Sequence, residues 1–281
     1  MHHSSSKSRL QHGAATRLRP LVVLAALILL LTGCSTLKDL WKESDPTKGW
    51  SAGKLYTEAK SELDDGNYKN AINLFETLEA RYPFGRFAQQ AQLETAYAYY
   101  KAQESDSAIA AADRFIKLHP QNPNIDYAYY LKGLANFNRG RTFLTPFIGR
   151  DPGTKDPVPL HDAFEDFGHI VKNYPASQYA ADSRNRMVFL RNELAEHELQ
   201  IADYYMRRGA YIAAANRGKI LIENYQGAQS VPDALVIMVQ AYRELGLDEA
   251  EQDTMEVLQA NYPELARDTK RKREGFFKRL F

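Results

Sequence analysis

The run Ala71-Ile72-Asn73-Leu74-Phe75-Glu76-Thr77-Leu78-Glu79-Ala80-Arg81-Tyr82-Pro83 decides the fold, because its pattern returns along the chain. It closes on an aromatic-plus-proline stop. Comparable stops follow at Leu118-His119-Pro120, Asn173-Tyr174-Pro175, Asn224-Tyr225-Gln226 and Asn261-Tyr262-Pro263. Aligned on the last residue of each stop, the fifth position back holds Leu78, Phe115, Ile170, Leu221 and Leu258, all large and apolar. The twelfth holds Ala71, Ala108, Ala163 and Ala214; the last unit departs, with Glu251 in that slot. Glycine turns precede several of these runs, at Gly66-Asn67-Tyr68, Gly209-Ala210-Tyr211 and, more weakly, Gly246-Leu247-Asp248.

A small residue early in the second helix of a pair lets two helices approach closely, and the large apolar residue further down fills the space between them. Glycine ends the first helix by accepting a left-handed conformation, and proline stops the second. The stops lie 37, 55, 51 and 37 residues apart, and the shorter spacing is close to the period of about 34 of a tetratricopeptide (TPR) helix pair. Period-2 alternation is almost absent. The expected fold is therefore all-α, a TPR-like solenoid of five helix pairs.

The two long intervals have separate causes. Arg139–Pro159 holds four prolines and three glycines and reads as a loop inserted within the third pair. Tyr179–Arg208 contains neither glycine nor proline and reads as one long helix, with Phe189, Leu190, Leu194, Ile201, Tyr204 and Tyr205 as its apolar content. The expected organisation is repeats one to three over 53–178, then the long helix with repeats four and five over 179–263, and a basic tail from 264 to 281.

Ahead of the repeats, Arg17 and Arg19 precede an unbroken apolar run, Leu21–Leu31. Spanning a hydrocarbon core takes about 20 such residues, so this run has the layout of a cleaved export signal over 1–33. Leu31-Thr32-Gly33-Cys34 resembles the bacterial lipobox, which implies S-diacylglyceryl and N-palmitoyl groups on Cys34. Two or more acyl chains give stable anchoring where one does not. Ser35, in place of an aspartate, points to the periplasmic face of the outer membrane. Residues 34–52 then serve as a tether.

Cys34 is the only cysteine, so no disulfide is available and stability must come from packing. Without the signal the chain is formally −3, and seven basic residues in 267–281 leave the rest near −8. Nucleic acid is excluded as a partner for such an exported, acidic body. No HExxH, GxSxG, Walker-type loop or CxxC occurs, and no mature histidine has zinc-ligand spacing. No enzyme activity, metal or cofactor is expected. His119 takes the slot that tyrosine fills in the other repeats and reads as a packing aromatic.

The unusual content is aromatic, with 17 tyrosines. Tyrosine joins a large apolar face to a hydroxyl, which suits a groove holding a peptide. Tyr82, Phe84, Phe87, Tyr97 and Tyr100 are the candidate contacts, with Arg81–Phe87 as the lip. In Ala213-Ala214-Ala215-Asn216-Arg217-Gly218, Arg217 reads equally as a solvated residue opposite a small-residue face or as a protruding guanidinium for a partner's carboxylate. The tail carries Phe276, Phe277, Leu280 and Phe281 beside its basic residues; it reads first as frayed chain, second as a membrane-surface helix.

Several strings together resemble the BamD (ComL) family of the outer-membrane β-barrel assembly machinery. They include Arg81-Tyr82-Pro83-Phe84-Gly85, Tyr97-Ala98-Tyr99-Tyr100-Lys101, Pro123-Asn124-Ile125-Asp126-Tyr127, Tyr174-Pro175-Ala176-Ser177-Gln178-Tyr179 and Asn216-Arg217. The resemblance implies a non-catalytic lipoprotein whose second half docks on the POTRA domains of BamA, with Asn216 and Arg217 in the docking region. It also implies that the N-terminal repeats receive unfolded outer-membrane proteins, and that accessory Bam lipoproteins bind in some bacteria. The long basic tail and the Arg139–Pro159 loop depart from the family pattern. The alternative is a TPR lipoprotein that binds peptidoglycan or a murein enzyme.

Overall fold

A computed structural model describes residues 45–140 and 156–270. The signal, Cys34, most of the tether and 271–281 lie outside the described residues. The chain divides into two units, 1–50 and 51–281. Of the first, 45–50 form a turn in which Asp45 Oδ1 accepts from the Thr47 backbone N–H at 2.9 Å and from its hydroxyl at 2.7 Å.

The second unit is a stack of antiparallel helix pairs. Its helices are α1 Ala52–Asp64, α2 Tyr68–Arg81, α3 Arg86–Lys101, α4 Ser105–Leu118, α5 Ile125–Gly140, α6 Val158–Asn173, α7 Ala180–Arg207, α8 Tyr211–Asn224, α9 Val231–Glu244 and α10 Asp248–Asn261. Each helix packs on the next. The backbones of α1 and α3, α3 and α5, and α7 and α9 also approach one another, whereas α5 and α7 meet chiefly through side chains. No strand occurs among the described residues. The TPR-like helical solenoid expected from the stops is the observed architecture.

The repeat is legible in backbone detail. Tyr82, His119, Tyr174, Tyr225 and Tyr262 each end the second helix of a pair with φ between −122° and −139° and ψ between 46° and 65°. Each cap N–H donates to the carbonyl of Leu78, Phe115, Ile170, Leu221 or Leu258. Those five side chains are fully buried, and burying one is worth about 1.5–3 kcal/mol. Gly66, Gly209 and Gly246 turn the chain between paired helices with left-handed φ, and in the second pair Gln103 takes the same conformation. In all four turns an N–H reaches back five residues, as from Asn67 to Glu62 O and from Glu104 to Tyr99 O, closing a Schellman motif.

The small-residue slot behaves as the spacing requires: Ala71, Ala108, Ala163 and Ala214 are buried. Glu251, in the fifth pair, is buried too. Arg243 of α9 compensates, donating through Nε and Nη2 to Glu251 Oε1 at 3.0 and 2.8 Å.

Three expectations need adjusting. The inserted segment is shorter than 139–159: α5 runs through Gly140 and α6 starts at Val158, with residues 141–155 outside the described part. Proline is compatible with the first helical turn, where the backbone N–H has no intrahelical partner, so Pro157 and Pro159 open α6 and do not extend the loop. The tail is not frayed at its start. Residues 263–270 are helical, with Ala266 buried against Leu235, Val239, Met255 and Leu258. Finally, the long helix expected to join repeats one to three to repeats four and five, as a rod between two halves, is α7, and it packs on α6, α8 and α9 within one compact unit.

Candidate functional site

The five aromatic candidates do not form one patch. Tyr82 is the cap of α2 and is exposed, and Phe84, in the turn to α3, is 90% exposed. Phe87 is half-buried in the first turn of α3, its ring centroid 5.5 Å from that of Tyr56 and its face 4.8 Å from the Arg86 guanidinium carbon. Tyr97 and Tyr100 lie some three turns and more further along α3, about 15 and about 20 Å from Phe87 along the axis. Both are half-buried against the cluster of Leu93, Ala96, Ala112, Phe115, Ala128 and Leu131. Of the five, Phe84 stands clearest of the core.

The helices bring other aromatics together instead. Tyr179, preceding α7, stacks on Tyr127 and Tyr130 of α5, with ring centroids 5.2 and 4.7 Å apart. These rings bridge the α5–α7 boundary, where the backbones stand further apart than in the neighbouring layers. Tyr130 donates its hydroxyl to Asp182 Oδ2 at 2.7 Å, and Arg186 pairs with the same carboxylate. Ser177 donates to Asp126 Oδ2 at 2.6 Å. Toward the N-terminus, Lys60 of α1 pairs with Glu94 of α3 at 3.3 Å. The first helices of successive pairs thus present a seam of tyrosines and paired charges, running from Tyr56 through Tyr97 and Tyr127 to Tyr179.

Burial sets the protonation of this seam. It pushes the Tyr127 hydroxyl well above its ordinary range, helped by the Glu94 carboxylate. Tyr130 is pushed up to about 12, by burial first and then by its hydrogen bond to Asp182. Both phenols stay protonated at neutral pH; Tyr130 spends its proton on Asp182, while that of Tyr127 can be donated to a peptide carbonyl or to a terminal carboxylate. Tyr127, Tyr130 and Tyr179 are the residues that sequence reasoning left out of the site. Tyr127 and Tyr130 stand close together in the sequence, but nothing in it aligns Tyr179 with them.

On α8 Arg217 has a partner within the chain. Its guanidinium does not protrude unpartnered: Nη1 donates to Glu198 Oε2 of α7 at 3.0 Å, and Glu198 is mostly buried. Asn216 beside it is exposed. Ala214, Ala215 and Gly218 form the packing face, so close that a Cβ on Gly218 would stand 2.6 Å from Met238 Cγ of α9. Small residues around the arginine are thus a helix–helix contact, while Asn216 and the outer edge of Arg217 face outward. His119 is a packing aromatic, 5.1 Å from the Phe115 ring, its Nε2 2.8 Å from Gln92 Oε1.

Among the described residues no group of three or more His, Cys, Asp and Glu side chains is placed to hold a metal ion, and no helix is long and apolar enough to cross a membrane. The family described as YfiO, outer membrane lipoprotein, matches residues 50–258. The outer membrane protein assembly factor BamD of Neisseria meningitidis serogroup B is 45% identical over 88% of this chain and 92% of that protein. BamD of Vibrio cholerae is 38% identical over 83% of this chain and 94% of its own length. A thermophilic TPR protein of known structure from Thermus thermophilus is similar at TM-score 0.35 and 14% identity, over 78% of this chain and 97% of that one; so remote a likeness carries no argument. A match over most of the chain, to the family and to curated relatives alike, means that this chain belongs to the YfiO (BamD) family of outer membrane lipoproteins.

Proposed function

We propose that this chain is a non-catalytic scaffold for outer membrane protein assembly, held by lipid on Cys34 at the periplasmic face of the outer membrane. The role named for its relatives, outer membrane protein assembly factor, supports the general reading. The finer assignment has unfolded outer-membrane proteins bind along the tyrosine seam, with Phe84 and Tyr82 at its outer lip. The stacked Tyr127–Tyr179–Tyr130 group carries that reading. It joins apolar faces to protonated hydroxyls, the combination an extended segment with aromatic side chains requires. Docking on BamA POTRA domains is assigned to Asn216 and the outer edge of Arg217, and accessory Bam lipoproteins are further partners.

Photocrosslinkers at Phe84, Tyr97 and Tyr127 test the client site against one at Val257, an exposed apolar position on α10. Capture of unfolded barrel proteins at the first three and not at Val257 is expected; capture at Val257 alone removes the assignment. Depletion should lower the amount of folded outer-membrane barrels before any cell-wall defect appears. Fatty-acid labelling should be lost in Cys34→Ser.

A further inference from the structure

The turns that join one helix pair to the next lie along one edge of the solenoid's first half. The first residues of α1 adjoin this edge, since a Cβ on Gly53 would stand 3.6 Å from the Phe87 ring at the start of α3. The turn before α3 (82–85) neighbours the turn before α5 (119–124). Gln89 of α3 accepts from the Asn122 side chain at 3.2 Å and shares a shallow groove with Leu118, Pro120 and Pro123. The turn before α7 comes next, tied to the start of α5 by the Ser177–Asp126 bond.

This edge is basic in an otherwise acidic body. Residues 80–93 hold Arg81 and Arg86 and no carboxylate, 114–125 hold Arg114 and Lys117, and 167–181 hold Lys172. The turns within the first two pairs, at the far ends of the same helices, carry Asp64 and Asp65, then Glu104 and Asp106. Lys117 and Lys172 close α4 and α6, where a cation suits the helix dipole. Arg86 opens α3, where a cation opposes it, so the dipole does not account for the whole edge. Arg86, Lys117 and Lys172 are exposed, and among the described residues none of them is in an ion pair. Between these cations stand Phe84, 90% exposed, and Leu118, more than half exposed.

We propose that this edge rests on an anionic phospholipid leaflet, with Phe84 and Leu118 among the head groups and Arg86, Lys117 and Lys172 against their phosphates. The proposal rests on the reading that Cys34 carries lipid. Acyl chains hold a protein at a membrane without orienting it; a basic edge with apolar tips orients it. Exposed apolar side chains flanked by cations settle at the lipid–water boundary. Each cation beside an anionic surface strengthens the contact about fivefold. The leaflet repels the acidic turns, which therefore face away from it. An acidic peptide would want the cations gathered in one groove, whereas here they spread over three successive turns with apolar tips between them. That layout matches a plane. The outer lip of the tyrosine seam then opens at the leaflet that receives a client.

Cys34 is the only cysteine and acylation consumes it, so one added cysteine is the single thiol open to a fluorophore. The lipidated protein is reconstituted into phosphatidylethanolamine–phosphatidylglycerol vesicles with a nitrobenzoxadiazole label at an exposed turn position. Labels on Gln121→Cys and Ala176→Cys should be quenched by lipid carrying a nitroxide head group, and labels on Asp65→Cys and Glu104→Cys should not. Arg86→Glu with Lys117→Glu should cut the ratio of docked to undocked protein at least about 25-fold, at about fivefold per cation. Phe84→Ser should lower it as well. Neither variant alters a buried residue, so both should melt with the wild type. Equal quenching at the two edges would overturn the proposal, as would undiminished quenching in phosphatidylcholine vesicles. So would labels at 121 and 176 that respond to polyglutamate but not to vesicles, which would make the edge a peptide site. Protein that fails to float with the vesicles overturns the lipid anchor and this edge with it. Protein that floats without any preference between the edges overturns the edge alone.

Discussion

Asn136 of α5 donates its side-chain N–H to Asp166 Oδ2 of α6 at 2.9 Å, inside the third helix pair. Lys132 Nζ stands 3.4 Å from the other oxygen of Asp166 and 3.0 Å from Asp113 Oδ1. Burial works against the Lys132 charge, but the two carboxylates outweigh it and its pKa ends above the ordinary value. For Asp166 burial wins: it pushes the carboxyl up to about 6, against the pull of Lys132 and the Asn136 hydrogen bond.

A pH dependence follows from that shift. The unfolded carboxyl titrates near 3.9, so between about pH 4 and 6 the folded state binds more protons at this site. The contribution of Asp166 to stability therefore falls as pH rises through that window, and its cost is fully present above it. Asp166→Asn removes the titration. Urea midpoints of the two proteins, measured from pH 7 down to pH 4, should show the wild type gaining on Asp166→Asn as pH falls. A constant difference across the window would contradict the assignment.

Gly133 of α5 faces the Phe167 ring of α6, and a Cβ there would stand 2.8 Å from Phe167 Cε1. Alanine gains about 1 kcal/mol over glycine in a helix interior. Overpacking costs about 1–3 kcal/mol, and the fully buried Phe167 ring has nowhere to go. Gly133→Ala should therefore destabilise. Gly218→Ala should be milder, because the Met238 side chain can change rotamer, although the new Cβ would also stand 3.3 Å from Ala234 O of the backbone. Thermal melts of the two variants read this order directly.

The Arg243–Glu251 pair should respond asymmetrically. Glu251→Ala restores the alanine of the other four repeats and leaves an arginine long enough to reach water, so its cost should stay within about 1 kcal/mol. Arg243→Ala takes the cation from a buried carboxylate, a loss commonly near 3–5 kcal/mol. Denaturant unfolding should show the second variant much the weaker. Equal costs would mean that the pair matters through packing and not through charge.

What the sequence revealed was whatever repeats. Leu78 and its four counterparts recur at one spacing, and so do the cap residues that follow them, because each pair solves the same local packing problem. The site does not repeat. Tyr56, Tyr97, Tyr127 and Tyr179 come from four different elements, and only the stacking of first helices brings them to one face. Glu198 and Arg217 were equally hidden: they are nineteen residues apart on different helices, and no local pattern ties a carboxylate to that arginine. Composition misled at the tail, where Ala266 and Thr269 are small side chains whose burial at i, i+3 leaves no apolar signature.

The Arg217–Glu198 pair changes what a docking variant must be tested for. An arginine wholly in solvent could be replaced with little effect on stability. Here Arg217→Ala strands a mostly buried carboxylate, and such a loss costs about 1–3 kcal/mol. Arg217→Glu adds a second carboxylate beside it and should be worse. Glu198→Gln removes the charge that needs a partner, so the penalty of Arg217→Ala should shrink in that background, as a double-mutant cycle would show. Binding to BamA is then measured on Glu198→Gln/Arg217→Ala and on Asn216→Asp, which leaves the pair intact. If Arg217 itself touches the partner, the double variant should bind at least about tenfold more weakly while melting near the wild type. Normal binding by the folded double variant would leave Arg217 as a clamp between α7 and α8 and move the docking assignment to Asn216 alone.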